Sequence, residues 1–241
     1  FSKREFTSRL RSNQDIPRVM KCGNIASSLA SGIPRMHNIL FIRELGLADY
    51  QTTWQKMRNF TDERTSDTPD ELWLLEHPPV FTQGLAGKPE HVLNPHDIPI
   101  VQTDRGGQIT YHGPGQLVAY VLFDLQRKKL FARDLVRTLE KSLIGLLAEY
   151  RVDAQSDCKA PGVYVNQAKI ASIGLRVRKN ASYHGIALNV DMDLTPFQYI
   201  NPCGYKNMAM TQIKNFDNDV TMMGVKNKFV SHIKNNFGYA P

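Results

Sequence analysis

Asp104-Arg-Gly-Gly-Gln-Ile-Thr-Tyr-His-Gly-Pro-Gly-Gln-Leu-Val-Ala-Tyr-Val-Leu-Phe-Asp-Leu125 passes from a glycine-rich loop into a run that is apolar at nearly every position. Residues 104–115 read as a loop by their turn chemistry, ending in Gly113-Pro114-Gly115. Residues 117–125 have no polar face, as expected of a central strand covered on both sides. A sheet with a packing layer on each face therefore belongs at the middle of the chain, and the flanking segments must supply those layers.

Upstream, residues 39–45 read as a strand. Tyr50, Trp54, Met57 and Thr61 follow at helical spacing on a polar background. Residues 71–76 form a second strand, ended by His77-Pro78-Pro79, and 98–103 a short third one. Downstream, Leu135, Leu139, Leu143, Leu146 and Leu147 share one face of a helix over 133–150, with Arg137, Glu140 and Lys141 opposite. Residues 162–165 and 169–177 flank Asn166-Gln167 as a hairpin, although Asn-Gln is a weaker turn than Asn-Gly. Residues 183–190 are a further strand with His184, Ile186, Leu188 and Val190 on one face. Beyond Pro196 the chain is irregular, and residues 220–237 close it as a helix with Phe229, Ile233 and Phe237 in line. There is no internal repeat or interdomain linker. The expected class is α+β, one domain over 36–241 built on a mixed β-sheet with packed helices.

The 241 residues carry 30 Lys plus Arg against 23 Asp plus Glu, a net charge of +7, and 41% of them are hydrophobic. That is enough apolar material for a sizeable core. No apolar run reaches the roughly 18 residues of a spanning helix, which argues against a membrane role. Cys22, Cys158 and Cys203 are too few for a disulfide framework, and no pair has zinc-ligand spacing. The positive charge invites a nucleic-acid partner, but its distribution argues against one. Residues 1–35 hold seven basic and two acidic side chains, a net of +5, leaving +2 for the other 206 residues. Those 35 residues are rich in Arg and Ser without clean periodicity, and they read as a disordered basic extension ahead of Met36. They resemble either a nonessential upstream segment or an organelle leader.

Three places can carry chemistry. Cys203 lies in Asn201-Pro202-Cys203-Gly204-Tyr205, where proline and glycine hold the thiol at a turn. It is either a reactive thiol or a small buried hydrophobe. Lys169 opens a strand whose odd positions, Ala171, Ile173, Leu175 and Val177, are apolar. An unbulged strand points Lys169 to that same side. It is then either an exposed, snorkelling lysine or a semi-buried one that stabilises a thiolate or acts as a base. The loop at 104–115 offers backbone N–H groups with Arg105, Tyr111 and His112, and is either a structural turn or a binding loop. It is not a P-loop, and its glycine spacing does not fit a dinucleotide fingerprint. His77, His91, His96 and His112 form no metal-binding pattern, so no metal is expected. His184, on an apolar strand face, reads as a satisfied core histidine. Arg127-Lys128-Lys129 reads as a solvated turn or as a docking point for an acidic partner.

Taken together, four ordered segments resemble one family. They are the stretch from Arg105-Gly106-Gly107-Gln108-Ile109-Thr110-Tyr111-His112 to Gln116, Ala160-Pro161-Gly162-Val163-Tyr164-Val165, Lys169-Ile170-Ala171-Ser172-Ile173-Gly174, and Asn201-Pro202-Cys203-Gly204-Tyr205. They are similar to the octanoyltransferases of bacterial lipoate synthesis, and the similarity runs from about residue 39 to 239. The resemblance implies a biotin/lipoate protein ligase-like fold and a cytoplasmic enzyme without a cofactor. It implies transfer of an octanoyl group from octanoyl-acyl carrier protein to the lysine amine of lipoyl domains, those of 2-oxoacid dehydrogenases and of the glycine cleavage H protein. It further implies that Cys203 becomes an acyl-thioester and that Lys169 lowers its pKa. Substrate binding then falls on Arg105, Gly106, Gly107, Gln108, Ile109, Thr110, Tyr111 and His112, on Ser172, Ile173 and Gly174, and on Gly185, Ile186 and Ala187. Because both partners would be acidic, Arg127–Lys129, Arg176, Arg178 and Lys179 become expected contacts. A ligase of the same fold that activates free acid with ATP is the alternative within the fold. A catalytically silent carrier-binding module is the alternative outside the enzyme class.

Overall fold

The computed structural model describes residues 38–157, 160–206 and 208–240. The basic extension over 1–35, Met36, Cys22 and Cys158 lie outside the described residues.

Strand β1 (Leu40–Leu47) leads through helix α1 (Tyr50–Asp62) to strand β2 (Asp70–Glu76). Asp49 caps α1 by accepting from Thr52 N at 2.8 Å. Strands β3 (Val80–Gln83), β4 (Ile100–Gln102) and β5 (Ile109–His112) pair with one another as a small sheet, in the order β4-β3-β5. Strand β6 (Gln116–Leu122) follows, then the short helix α2 (Leu125–Lys128) and the long helix α3 (Ala132–Glu149). After these come β7 (Gln155–Ser156), β8 (Gly162–Val165), β9 (Ala168–Arg178) and β10 (Ala181–Asn189), and helix α4 (Met222–Phe237) ends the fold. The large sheet has the order β1-β2-β6-β10-β9-β8-β7. Only β1 and β2 run parallel, so the sheet is mixed.

Every residue of β6 is buried, and its alternation divides the core. Leu117, Ala119 and Val121 face α3 and α4, where the five leucines of α3 meet Val225, Phe229, Ile233 and Phe237. Val118, Tyr120 and Leu122 face the other way, toward Met57 of α1. A third apolar cluster, with Phe81, Ile109, Tyr111, Met192, Phe197 and Ile200, underlies the small sheet.

Three local expectations change, and the expected hairpin is present. The glycine-rich segment is not loop throughout, because β5 lies inside it. Ile109, Thr110 and Tyr111 are good strand formers, and β5 finds an antiparallel partner in β3. The strand at 169–177 is bulged. Val163 opposes Ala171 while Tyr164 opposes Lys169, so Ile170 is an extra residue. The bulge turns Lys169 away from the face of Ala171 and onto that of Tyr164, Ser172 and Gly174. At Asn166 and Gln167 both φ angles are positive, 47° and 70°, which gives the turn twist that a two-residue hairpin requires even without glycine. His184 has φ of 59°, which breaks the alternation of β10 and swings its ring toward Trp54 and Tyr120 on the α1 side.

In the basic turn after β6, Arg127 and Lys128 are taken up by the fold, while Lys129 is exposed. Arg127 pairs with buried Asp70 at 2.6 Å, and Lys128 donates to Phe237 O at 3.0 Å with its ammonium over the Tyr239 ring. Asp70 further accepts from Tyr239 OH at 2.7 Å, so these charges tie the C-terminal segment to β2. Arg178 and Lys179 are occupied as well, both on Asp62.

Candidate active site

Cys203 and Lys169 are brought together by two backbone irregularities. The bulge at Ile170 aims Lys169 off the core face. Cys203 sits in a single 3-10 turn, Pro202–Gly204, with a left-handed φ of 56°. That conformation disfavours an L-residue by about 1–2 kcal/mol, so the surrounding contacts must hold it. Several do. Asn201 N donates to His91 O at 2.8 Å and Gly204 N to Asn201 O at 3.0 Å. The returning chain brackets the lysine, with Lys169 N donating to Ala209 O at 2.8 Å and Thr211 N to Lys169 O at 3.0 Å.

As a result Lys169 Nζ lies 3.1 Å from Cys203 Sγ. Lys169 is only 1% exposed, while the cysteine is half-buried. Burial pulls the lysine pKa down, but the charge of Cys203, and Tyr164 beside it, outweigh burial and leave it raised. Gly162 makes room for this lysine, because a Cβ there would lie 2.6 Å from Lys169 Cε.

The pair opens on a cavity of about 460 Å³, within the roughly 300–1,000 Å³ of small-molecule sites. Twelve of the expected binding residues line it: Arg105, Gly106, Gly107, Gln108, Thr110, His112, Ser172, Ile173, Gly174, Gly185, Ile186 and Ala187. Ile109 and Tyr111 do not. They alternate with Thr110 and His112 along β5 and point into the cluster beneath the small sheet, where Tyr111 packs on Phe81 and Phe197. The cavity forms where β8 stops. Gly162 is the last β8 residue paired with β9, and the next group to reach that edge is Gly106 N, donating to Leu175 O at 2.9 Å.

The inner wall is polar. Arg105 is buried without a carboxylate, donating to Thr82 Oγ1 at 2.9 Å and Gly106 O at 2.9 Å. Burial lowers its pKa, partly opposed by Tyr50 and by the charge of Cys203. Arg105 Nε and Gln108 Oε1 are buried without partners among the described residues, leaving a donor and an acceptor for a bound molecule. His112 accepts from Thr82 Oγ1 at 3.2 Å and donates from Nδ1 to Gln116 Oε1 at 2.7 Å. Burial pushes its pKa down to about 3, so it is a neutral imidazole.

Sequence reasoning missed the organising role of Asp104. Its carboxylate accepts from Trp54 Nε1 at 2.9 Å, from His184 Nε2 at 2.9 Å and from Tyr183 OH. Burial alone would raise its pKa, but these bonds hold it well below the usual carboxylate range. The available signal was an acid directly before Arg105 in a glycine-rich segment. His184 is indeed buried and satisfied, yet it lines the cavity rather than the helix-side core. Among the described residues no three His, Cys, Asp or Glu side chains cluster to hold a metal ion, and no helix is long and apolar enough to cross a membrane.

A mixed sheet that holds this cavity between a glycine-rich loop and a bulged hairpin defines a class. The sequence model of the lipoyl protein ligase A/B catalytic domain matches residues 49–234. A putative lipoate protein ligase from T. acidophilum superposes with a TM-score of 0.67 at 16% identity, covering 85% of this chain and 87% of that one. A biotin protein ligase from Aquifex aeolicus superposes with a TM-score of 0.50 at 14% identity, covering 84% and 70%. The fold is therefore that of the lipoate and biotin protein ligases. Within it, the octanoyltransferase of Chromobacterium violaceum is 57% identical over 193 residues, 80% of this chain and 93% of that protein. The chain belongs to the octanoyltransferase family of acyltransferases.

Proposed function

We propose that this enzyme moves an octanoyl group from octanoyl-acyl carrier protein to the lysine amine of a lipoyl domain, through a thioester on Cys203. The observation that carries the reading is the 3.1 Å approach of buried Lys169 to Cys203 at the edge of the cavity. In the first half-reaction the Cys203 thiolate attacks the donor's thioester carbonyl. An S–C bond forms, the carrier's S–C bond breaks, and the carrier thiolate leaves. Backbone N–H groups on the uncovered edge of β9 and in the glycine-rich loop are the donors available to the oxyanion.

The balance of effects on Lys169 gives the proton a route. While Cys203 is a thiolate, its charge keeps the lysine protonated against burial. Acylation removes that charge, so burial then favours the neutral amine. The proton passes to the departing carrier thiol, and the free amine of Lys169 can take one from the incoming lysine ammonium. That nucleophile forms the amide N–C bond and the Cys203 S–C bond breaks; the second proton of the former ammonium is released to solvent, and the starting ion pair is restored. The donor thioester supplies the activation, so ATP has no part. The soluble partners, the cytoplasmic setting and the division at residue 36 belong to this same reading.

Incubation with octanoyl-carrier protein is expected to add a hydroxylamine-sensitive octanoyl mass to Cys203. Transfer to a purified lipoyl domain should be indifferent to ATP and absent in Cys203→Ala. ATP-dependent use of free octanoate, with Cys203→Ala still active, would establish the ligase reading instead.

A further inference from the structure

The cavity that holds the Cys203–Lys169 pair has a neighbour. Beside the acyl cavity lies a second groove of about 1,010 Å³. Val136, Ala160, Pro161 and Tyr205 line both, so the two adjoin, and Tyr164 on the groove has Lys169 Nζ 5.2 Å from its ring centroid. Its far wall is the N-terminal half of α3, where Arg133 and Arg137 stand one turn apart on the groove. Both are exposed, and among the described residues neither has an ion-pair or hydrogen-bond partner. By contrast, Arg127, Lys128, Arg178 and Lys179 all have partners within the chain, the last two at the surface, while the exposed Lys129 and Arg176 do not line the groove. Immediately before α3, Phe131 is 80% exposed, and across the groove Tyr205 is 47% exposed. Exposed aromatics beside unpaired arginines are the composition of a protein-binding surface.

We infer that this α3 face, Phe131 with Arg133 and Arg137, is the docking surface for the acyl donor, an acidic protein bearing its thioester on a long phosphodiester-linked arm. The inference rests on the donor reading proposed above. The two unpaired guanidiniums match an acidic helix or the phosphate of the arm, and Arg binds both bidentately. The groove then carries the arm past Tyr205 to Cys203, while the acyl chain turns into the cavity. An acceptor lysine is a single short side chain and needs no groove of this size.

The test separates the two half-reactions. Arg133→Glu combined with Arg137→Glu is expected to raise KM for octanoyl-carrier protein about 10-fold or more, and to abolish most of its salt dependence. Acylation of Cys203 by octanoyl-pantetheine, which lacks both protein and phosphate, should stay within about twofold of wild type, as should discharge of preformed octanoyl-enzyme onto a lipoyl domain. Phe131→Ala should raise KM for the carrier without changing its salt dependence. Comparing octanoyl-pantetheine with its 4′-phosphate in wild type reads whether the arginines hold phosphate or protein carboxylates. An equal loss with octanoyl-pantetheine would overturn the docking role, a defect confined to discharge would assign the face to the acceptor, and no change in KM would show that nothing docks there. Failure of wild type to form any octanoyl-Cys203 would instead sink the donor reading itself.

Discussion

In the proposed cycle Lys169 is charged in one half and neutral in the other. Burial opposes its charge, while Cys203 and Tyr164 support it. Lys169→Met is therefore expected to move alkylation of Cys203 by iodoacetamide to higher pH. A pH profile identical to wild type would show that the lysine does not support the thiolate. Gly162→Ala tests position instead of charge. Its φ of 141° and the 2.6 Å approach to Lys169 Cε leave no space for a methyl group. The displaced ammonium should cut transfer by roughly 10²-fold, since misplacing a reacting group by about 1 Å has effects of that order. The alkylation profile should shift in the same direction as in Lys169→Met. Unchanged transfer would mean that the hairpin relaxes without moving the lysine.

The elements show which parts of this arrangement a sequence can carry. The covered strand β6 and the leucine face of α3 were legible because their periodicity reflects what each packs against, and the order of strands and helices followed from them. The faces of β5, β9 and β10 were not, since strand alternation is reset by any residue that departs from it. An inserted Ile170 reverses Lys169, and a left-handed His184 reverses its ring. Neither departing residue is itself a glycine or proline, although Gly185 follows His184. In β5 the same rule had the opposite effect: a run of eight expected binding residues came from motif continuity, and strand geometry removes Ile109 and Tyr111 from it. Ile109→Ala should lower stability by about 2–5 kcal/mol, as expected for a buried aliphatic truncation, while the folded enzyme acylates at the wild-type rate. Thr110→Ala, one residue along but on the cavity side, should show the reverse, a change in KM for the thioester with a smaller effect on stability. Urea unfolding and single-turnover acylation of the two variants decide it, and loss of acylation in folded Ile109→Ala would place that side chain in the site.

Across the whole molecule the two ends of the cavity are joined by one buried polar chain. Arg105 donates to Thr82, Thr82 to His112, His112 to Gln116, Gln116 Nε2 to Asn189 Oδ1 at 2.9 Å, and Asn189 Nδ2 to Thr211 O at 2.9 Å, beside Lys169. A neutral His112 is required for this chain, because its Nε2 must accept. His77 meets the same demand, held between Ala48 O and Tyr120 OH, and burial lowers its pKa as well as that of His184. The consequence for stability has a definite sign. The unfolded chain protonates these imidazoles below about 6.5, whereas native His112 resists until about 3. The unfolded state therefore binds more protons in that interval, and stability falls as pH drops through it, by at most about 1.4 kcal/mol per pH unit for each such histidine. Asp104 adds its own loss only below the ordinary carboxylate range, where its native hydrogen bonds are surrendered on protonation. Urea midpoints should thus be flat near pH 7, decline from pH 6.5 to 4, and decline again below that. His112→Gln, which can still accept and donate without titrating, should make the first decline shallower, with His77 and His184 still contributing, and leave the second. A wild-type midpoint unchanged between pH 7 and 4.5 would mean that the buried imidazoles are protonated in the native state, and the chain from Arg105 to Lys169 could not then be hydrogen-bonded in this sense.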